Sequence, residues 1–179
     1  LAIMDQPNMF DFYHGGGLDI AFLGFGQVDH AGNVNVSKLG GRIIGAGGFV
    51  DISQSSRKVV FCGTFTAGGI EVRVSDAGPE IVREGRIKKF VQTADQITFS
   101  GEYARERGQS VLYVTERAVF QLRPEGLTLV EIAPGIDIER DVLAQMEFQP
   151  VVAADLKTMD MRLYRQAPMG LKNDPAWTS

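Results

Sequence analysis

The sequence has one cysteine, two histidines and no apolar run of membrane-spanning length. A lone cysteine cannot form a disulfide within the chain, and Cys62 is interpreted as a small core residue because the apolar run 59–61 precedes it. His14 and His30 stand apart from any cysteine or carboxylate at metal-ligand spacing, so the sequence predicts no metal site. Because a signal-like segment is also lacking, we expect a cytoplasmic protein without a membrane partner.

An excess of positive charge is lacking as well. The chain carries 18 basic and 22 acidic residues, which give a net charge of -4. This charge argues against a nucleic-acid partner, which usually requires a basic face. A hydrophobic fraction of 44% and a charged fraction of 22% are typical of a soluble globular domain.

Glycine, in contrast, is abundant, with 21 residues of which five lie in "NVNVSKLGGRIIGAGGFVDI" at 33–52. The segment lacks the dinucleotide-binding pattern because Val50 occupies its last glycine position, and it lacks the P-loop pattern because Ala46 and Gly47 replace its Lys and Ser/Thr. Two interpretations stay open: a loop whose amides face an anion or a polarised carbonyl, and a tight packing loop between strand and helix.

Two asparagines lie just before this loop. Asn33 and Asn35 flank Val34, so in a strand both side chains point to one side. Their amides are suited either to donate to a ligand oxygen or to tie down the neighbouring loop.

Apolar runs alternate with capped helical segments along the chain, which predicts an α/β layered fold with an added antiparallel section late in the chain. Ser100 is expected to cap a helix that ends near Gly108, and Asp137 to begin the last helix. The predicted helices span 8–14, 49–56, 100–107 and the segment after 137; the predicted strands span 18–23, 34–36, 58–62, 70–74, 80–82, 96–99, 111–115, 118–122 and 127–132.

Carboxylates are candidates for acid–base or covalent chemistry, but their spacing selects none of them. Glu84, Glu102 and Glu116 are equally compatible with solvated or ion-paired roles. From the residues alone, the chain shows a candidate ligand-facing loop and no defined nucleophile.

Five blocks, in order, carry a resemblance to a known family. They are "MFDFYHGGGLDIAFLGFGQVD" (9–29), "GNVNVSKLGGRIIGAGGFVDI" (32–52), "VVFCGTFTAGG" (59–69), "VLYVTERAVFQL" (111–122) and "GLTLVEIAPGIDIERDVL" (126–143). Together they resemble the second half of the class I coenzyme A transferases, in particular the acetate/propionate and short-chain acyl-CoA:acetate enzymes.

The resemblance implies an open layered α/β sheet and transfer of CoA from a short-chain acyl-CoA to a carboxylate acceptor. In this family a glutamate attacks the thioester and forms a glutamyl-CoA intermediate. The family's Glu-Asn-Gly motif is absent here, and the first glutamate is Glu71. We therefore expect the nucleophile to lie on an upstream half or fragment, and the isolated chain to be inactive. Residues 1–172 are expected to form a C-terminal domain that is incomplete at its N-terminus, and 173–179 to form a tail.

The resemblance also implies which residues form the site. Gly45, Gly47 and Gly48 match the family's Gly-x-Gly-Gly element beside the thioester and CoA, Phe49 follows it, and Asn35 matches an asparagine facing the active site. Asn35 and Gly48 are expected in the oxyanion environment, and Gly45, Gly47, Gly48 and Phe49 against CoA. CoA is expected as a substrate and not as a permanently bound cofactor, in a homo- or hetero-oligomer. The alternatives are a non-catalytic binding module and an acyl-CoA hydrolase.

Overall fold

A computed structural model describes residues 3–175 of the chain. The α-helices of this part are α1 (Gln6–His14), α2 (Phe49–Ser55) and α3 (Gly101–Glu106). Its strands are β1 (Ile20–Gly24), β2 (Gln27–Asp29), β3 (Val34–Asn35), β4 (Lys38–Leu39), β5 (Arg42–Ile43), β6 (Lys58–Cys62), β7 (Thr66–Ala67), β8 (Glu71–Ser75), β9 (Gly78–Arg83), β10 (Ile87–Lys88), β11 (Phe90–Val91), β12 (Ser110–Val114), β13 (Ala118–Arg123), β14 (Gly126–Ile132) and β15 (Val151–Thr158).

The main sheet has six strands in the order β1-β6-β12-β13-β14-β15. Strands β1, β6 and β12 are parallel, whereas β12, β13 and β14 form an antiparallel meander and β15 returns parallel to β14. The α/β fold with a late antiparallel section, expected from the sequence, is confirmed.

The core lies on one face of this sheet. Val59 and Phe61 of β6 and Val111 and Tyr113 of β12 are buried there, next to each other in register. Phe49 of α2 stacks on Phe61 with ring centroids 5.7 Å apart. Helix α3 contributes a core alanine to the same cluster, so α2 and α3 lie on this side of the parallel strands, and α1 packs against α2.

A second, three-stranded sheet, ordered β11-β2-β3, supports the segment before the glycine loop. Strand β2 is parallel to β11 and antiparallel to β3. The remaining strands pair as β4-β5, β7-β10 and the hairpin β8-β9.

Several local predictions are confirmed. Ser100 caps α3 by accepting a hydrogen bond from the Tyr103 amide at 3.2 Å. Helix α2 and strand β6 form where they are predicted, and the predicted strands 70–74 and 80–82 correspond to the paired strands β8 and β9. Helix α1 begins two residues before the predicted start.

Other local predictions are wrong. Segment 96–99 forms no strand and contributes a single bridge between Phe99 and Val34. Asp137 does cap a helical segment, but this is a π-helical turn (Ile138–Val142) followed by a 3₁₀ turn (Leu143–Gln145) and not one α-helix. Cys62 is exposed and not in the core.

The end of the chain also differs from expectation. Strand β15 has no predicted counterpart, and a short 3₁₀ turn (Met161–Tyr164) follows it. The expected tail is 173–179. Its first residue, Asn173, ends another 3₁₀ turn, and 176–179 lie outside the described residues. No helix in the described part is long and apolar enough to cross a membrane.

Candidate functional site

The glycine loop lies between β5 and α2, at the edge of the sheet where the parallel strands end. Helix α2 lies in the connection between β1 and the next parallel strand, β6, and it packs against β1. A helix in such a crossover starts at the carboxyl ends of the strands, which is where open α/β sheets place their ligands. The fold therefore brings Gly45 to Gly48 to the edge that can hold a site.

Two of these glycines are required by the backbone. Gly45 has φ 95° and Gly47 has φ 53°, and a Cβ on either would meet nothing within 4 Å. The left-handed conformation, and not crowding, thus selects glycine here. The start of the loop is fixed, because the Ser37 carbonyl accepts hydrogen bonds from the amides of Ile44 at 2.7 Å and Gly45 at 3.1 Å.

Gly48 differs from them. It has φ -85°, which any residue adopts, but a Cβ there would collide with the Phe10 ring of α1. Within residues 3–175, the backbone amides of Gly47 and Gly48 donate no hydrogen bond. These two donors at an exposed loop are free to polarise a carbonyl oxygen.

Asn35 lies beneath this loop and is fully buried. Its Nδ2 donates to Gln27 Oε1 and to the Lys38 carbonyl, each at 2.6 Å. Its Oδ1 accepts from the amides of Ser37 at 3.0 Å and Lys38 at 3.1 Å. Both amide hydrogens of Asn35 therefore bond to other groups of the protein. These contacts match the interpretation in which Asn33 and Asn35 tie down the neighbouring loop.

Asn33 is engaged in the same way. Its Nδ2 donates to Asp29 Oδ2 at 3.0 Å, and its Oδ1 accepts from the Gly101 amide at 2.9 Å. It thereby connects the turn after β2 with the start of α3.

Phe49, expected against CoA, has its ring in the core. It is 9% exposed and stacks on Phe61. In this structure the Phe49 ring packs the helix onto the sheet beside the loop.

A charged cluster that sequence reasoning did not find lies where β6 and β12 end. Arg117 is fully buried and donates to Glu84 Oε2 at 2.6 Å, to Glu84 Oε1 at 3.1 Å and to Glu116 Oε1 at 2.7 Å. Glu116 Oε2 accepts from the Phe65 amide at 2.9 Å, and Glu84 accepts from the Thr66 hydroxyl. The cluster thus holds the loop that follows β6.

These contacts set the protonation states of the cluster. Burial raises the pKa of Glu84, but hydrogen bonds from Arg117 and Thr66 outweigh it and leave that pKa below its usual value. Burial lowers the pKa of Arg117, whereas its hydrogen bond to Glu84 and the charge of Glu116 raise it above the ordinary value. Glu84 and Arg117 are therefore charged near neutral pH, and Glu84 serves as an ion-pair partner of Arg117.

Lys89 is a buried cation next to this cluster. Its Nζ donates to the Thr64 carbonyl at 3.0 Å and lies 3.7 Å from the centroid of the Phe25 ring. Burial lowers the pKa of Lys89 to about 8, against the opposing effect of the Glu116 charge. No local signal in the sequence distinguishes this lysine from its exposed counterparts.

The remaining titratable candidates lie apart. Glu102 is exposed in the first turn of α3, His14 faces Asp51 at 3.3 Å on the surface, and His30 contacts the Gln92 carbonyl at 2.8 Å. Among residues 3–175, no three His, Cys, Asp or Glu side chains are grouped so that they would hold a metal ion.

Comparison with known proteins connects this arrangement to a family, although no protein-family profile matches the chain. The sequence is 54% identical over 169 residues to acetate CoA-transferase YdiF of Escherichia coli K12, covering 94% of this chain and 32% of the relative. It is 52% identical over 175 residues to caffeate CoA-transferase of Acetobacterium woodii, covering 95% of this chain and 33% of the relative.

Solved structures agree. The acyl-CoA transferase YdiF of E. coli O157:H7, described as a thioester complex with CoA, superposes with a TM-score of 0.92 at 54% identity, over 94% of this chain and 33% of that one. The chain thus spans about a third of the length of the relatives it matches. The resemblance to CoA-transferases inferred from the five blocks is confirmed.

Proposed function

We propose that this chain, as a relative of the CoA-transferases, forms the part of such an enzyme that holds the thioester during CoA transfer. The observation that carries the proposal is the loop at Gly47 and Gly48, at the carboxyl edge of the parallel strands, whose amides have no hydrogen-bond partner within residues 3–175. A relative 54% identical is described as a thioester complex with CoA. The two together support an acyl-CoA thioester as the group that meets the loop.

In this proposal the loop amides stabilise the negative charge that develops on the thioester oxygen. Loss of one such donor typically removes about 3–4 kcal/mol of transition-state stabilisation. Asn35 contributes by fixing the backbone of Ser37, whose carbonyl holds the start of the loop. A direct donor role for Asn35 would require that the ligand replace Gln27 or the Lys38 carbonyl as its partner.

We propose that the nucleophilic glutamate is supplied from outside this chain. Glu84 and Glu116 are held by Arg117, and Glu102 is exposed on a helix. A glutamate carboxylate of the upstream part attacks the acyl carbonyl and expels CoA as the thiolate, which leaves an acyl-glutamyl anhydride. The thiolate then attacks the glutamyl carbonyl of this anhydride, the donor carboxylate leaves, and a glutamyl-CoA thioester forms. The acceptor carboxylate then takes CoA from this intermediate.

The substrate class is a carboxylic acid and its CoA thioester. The two curated relatives carry acetate and caffeate in their names. For this chain we propose the short-chain preference that the motif blocks imply. We also propose CoA as a substrate and not as a resident cofactor.

The test is to reconstitute the chain with the two thirds of E. coli YdiF that it does not cover. The intact mass of each polypeptide is measured before and after exposure to acetyl-CoA, and transfer to acetate is followed in parallel. We expect a CoA adduct on the added polypeptide, no adduct on this chain, and transfer only when both are present.

Three outcomes would contradict the proposal. An adduct on this chain would place the nucleophile here. Transfer by the isolated chain would make the second polypeptide unnecessary. Release of free CoA at the same rate without an acceptor would indicate a hydrolase.

A further inference from the structure

One face of the parallel strands is bare. Alternate residues of β1, β6 and β12 point away from the core, and their register places them side by side: Phe22 opposite Val60, and Val60 opposite Leu112. Phe22 is 67% exposed and Ile20 is 45% exposed. We define the open face as the outward residues Ile20, Phe22, Val60, Cys62, Leu112 and Val114.

The opposite face explains why this one is bare. Val59, Phe61, Val111 and Tyr113 point to the other side, where they are at most 1% exposed beneath the helices. Helices α2 and α3 lie on that side. Within residues 3–175, Leu112 and Val114 of the open face pack against the Met159 cluster, whereas Ile20 and Phe22 are exposed. Parallel strands are normally covered on both faces, so a second layer is missing here.

The open face is continuous with a groove that is also apolar. Leu112 and Val114 line it together with Val74, Met159 and Leu163, and Leu163 is 56% exposed. The groove begins where Met159 and Val119 form a small cluster on the same side of the sheet. A protein layer that covers the open face therefore also contacts apolar surface beyond β12.

Strand β1 is in addition the edge of the sheet. It pairs only with β6 among the described strands, and the Arg57–Asp19 ion pair at 3.2 Å joins the segments just before these two strands. An unpaired edge next to a bare apolar face is unfavourable for a protein that stays isolated in water.

We propose that the open face is the docking surface for the complementary part of the transferase, defined as the portion of the relatives that this chain does not cover. That portion is about two thirds of their length, enough for a further layer of helices and strands. The occupant is expected to present an apolar helical layer over Phe22 and Val60. The inference rests on the proposed function, because it assumes a transferase made of these parts.

Cys62 provides a direct reporter, since it is the chain's one cysteine and is exposed on the open face. The 179-residue chain is mixed with the uncovered two thirds of E. coli YdiF, and alkylation of Cys62 by iodoacetamide is followed by peptide mass spectrometry. We expect a stable complex in which alkylation slows by roughly tenfold or more, because a docked layer excludes the reagent.

Phe22→Asp tests the surface itself. It should weaken association by roughly tenfold or more, because a charge would be buried in an apolar contact. Ile97→Asp is the matched control, since Ile97 is 58% exposed outside the open face, and it should leave association unchanged. Circular dichroism confirms folding, and Ile20→Asp serves as a second variant if Phe22→Asp misfolds.

The readouts separate this inference from the proposed activity. A complex that protects Cys62 but transfers no CoA supports the docking surface and contradicts the activity. A complex with unprotected Cys62, a Phe22→Asp variant that binds normally, absence of any complex, or protection by self-association of the chain would each overturn the inference.

Discussion

Arg117 and Glu84 form a buried bidentate ion pair across 33 residues of sequence, with Nη1 2.6 Å from Oε2 and Nη2 3.1 Å from Oε1. Glu84 follows β9 and Arg117 precedes β13, so the pair joins the hairpin to the main sheet. The Arg117 guanidinium also lies 5.0 Å from the centroid of the Phe65 ring, in the loop after β6. One buried cation thereby orders the edge of the sheet next to the candidate site.

The first prediction concerns this pair. Arg117→Met should lower the free energy of unfolding by about 3–5 kcal/mol, because it leaves two carboxylates partly buried without their partner. Arg123→Met is the control, as Arg123 bonds only to Gln121 within the described residues. Urea unfolding of both variants measures the difference, and equal losses would show that the pair has no special role.

The second prediction is a pH dependence carried by Lys89, whose folded-state pKa is about 8 against an ordinary 10.5. Below both values the lysine is charged in either state. Between them the unfolded chain retains a proton that the folded chain has lost, so stability should rise with pH. Relative to Lys89→Met, the wild type should gain about 2–3 kcal/mol between about pH 7 and pH 10.

Urea unfolding of the wild type and Lys89→Met at both pH values measures this gain, with Lys157→Met as the exposed control. A constant difference between wild type and Lys89→Met would show that burial does not disfavour the Lys89 charge.

The third prediction separates loop geometry from chemistry. Gly47 and Gly40 have φ 53° and 58°, and an added Cβ meets nothing at either position. Alanine at either should cost about 1–2 kcal/mol of stability, because both residues are left-handed. In the reconstituted enzyme, Gly47→Ala should lower kcat by roughly tenfold or more through displaced amides, whereas Gly40→Ala should not. Equal kcat values would remove the loop amides from the mechanism.

The fourth prediction concerns Gly48 and Phe10. Gly48→Val should reduce activity, but the contact with the Phe10 ring indicates that it also displaces α1. Adding Phe10→Ala should restore the helix content of the Gly48→Val variant, measured by circular dichroism. If the double variant regains helix content and stays inactive, the effect lies in the loop, whereas recovered activity would assign it to the clash.

The fifth prediction tests Asn35. Asn35→Ala should lower stability by about 2–4 kcal/mol, because it removes a donor to the Lys38 carbonyl and the acceptor for the amides of Ser37 and Lys38. Asn35→Asp keeps the acceptor for the Ser37 and Lys38 amides but loses both donors. A kcat that falls in Asn35→Ala and recovers in Asn35→Asp would indicate positioning of the loop, and equal losses would indicate a donor role.

Local sequence signals predicted much of the fold. The apolar run of β6 and the Ser100 cap of α3 depend on neighbouring residues, and neighbouring residues are what the sequence shows. Motif resemblance also identified the family before any geometry was known. The order of the blocks was sufficient for that inference because it is a property of the chain itself.

The tertiary structure decided which of those residues meet. Arg117 joins Glu84 to Glu116, Lys89 is buried, and Asn35 uses its whole amide within the protein. Each depends on packing between distant segments, which no local pattern encodes. Cys62 and Phe22 show the same limit. An apolar strand predicts that its side chains are covered, but the layers packed on the sheet decide which face of the strand is covered.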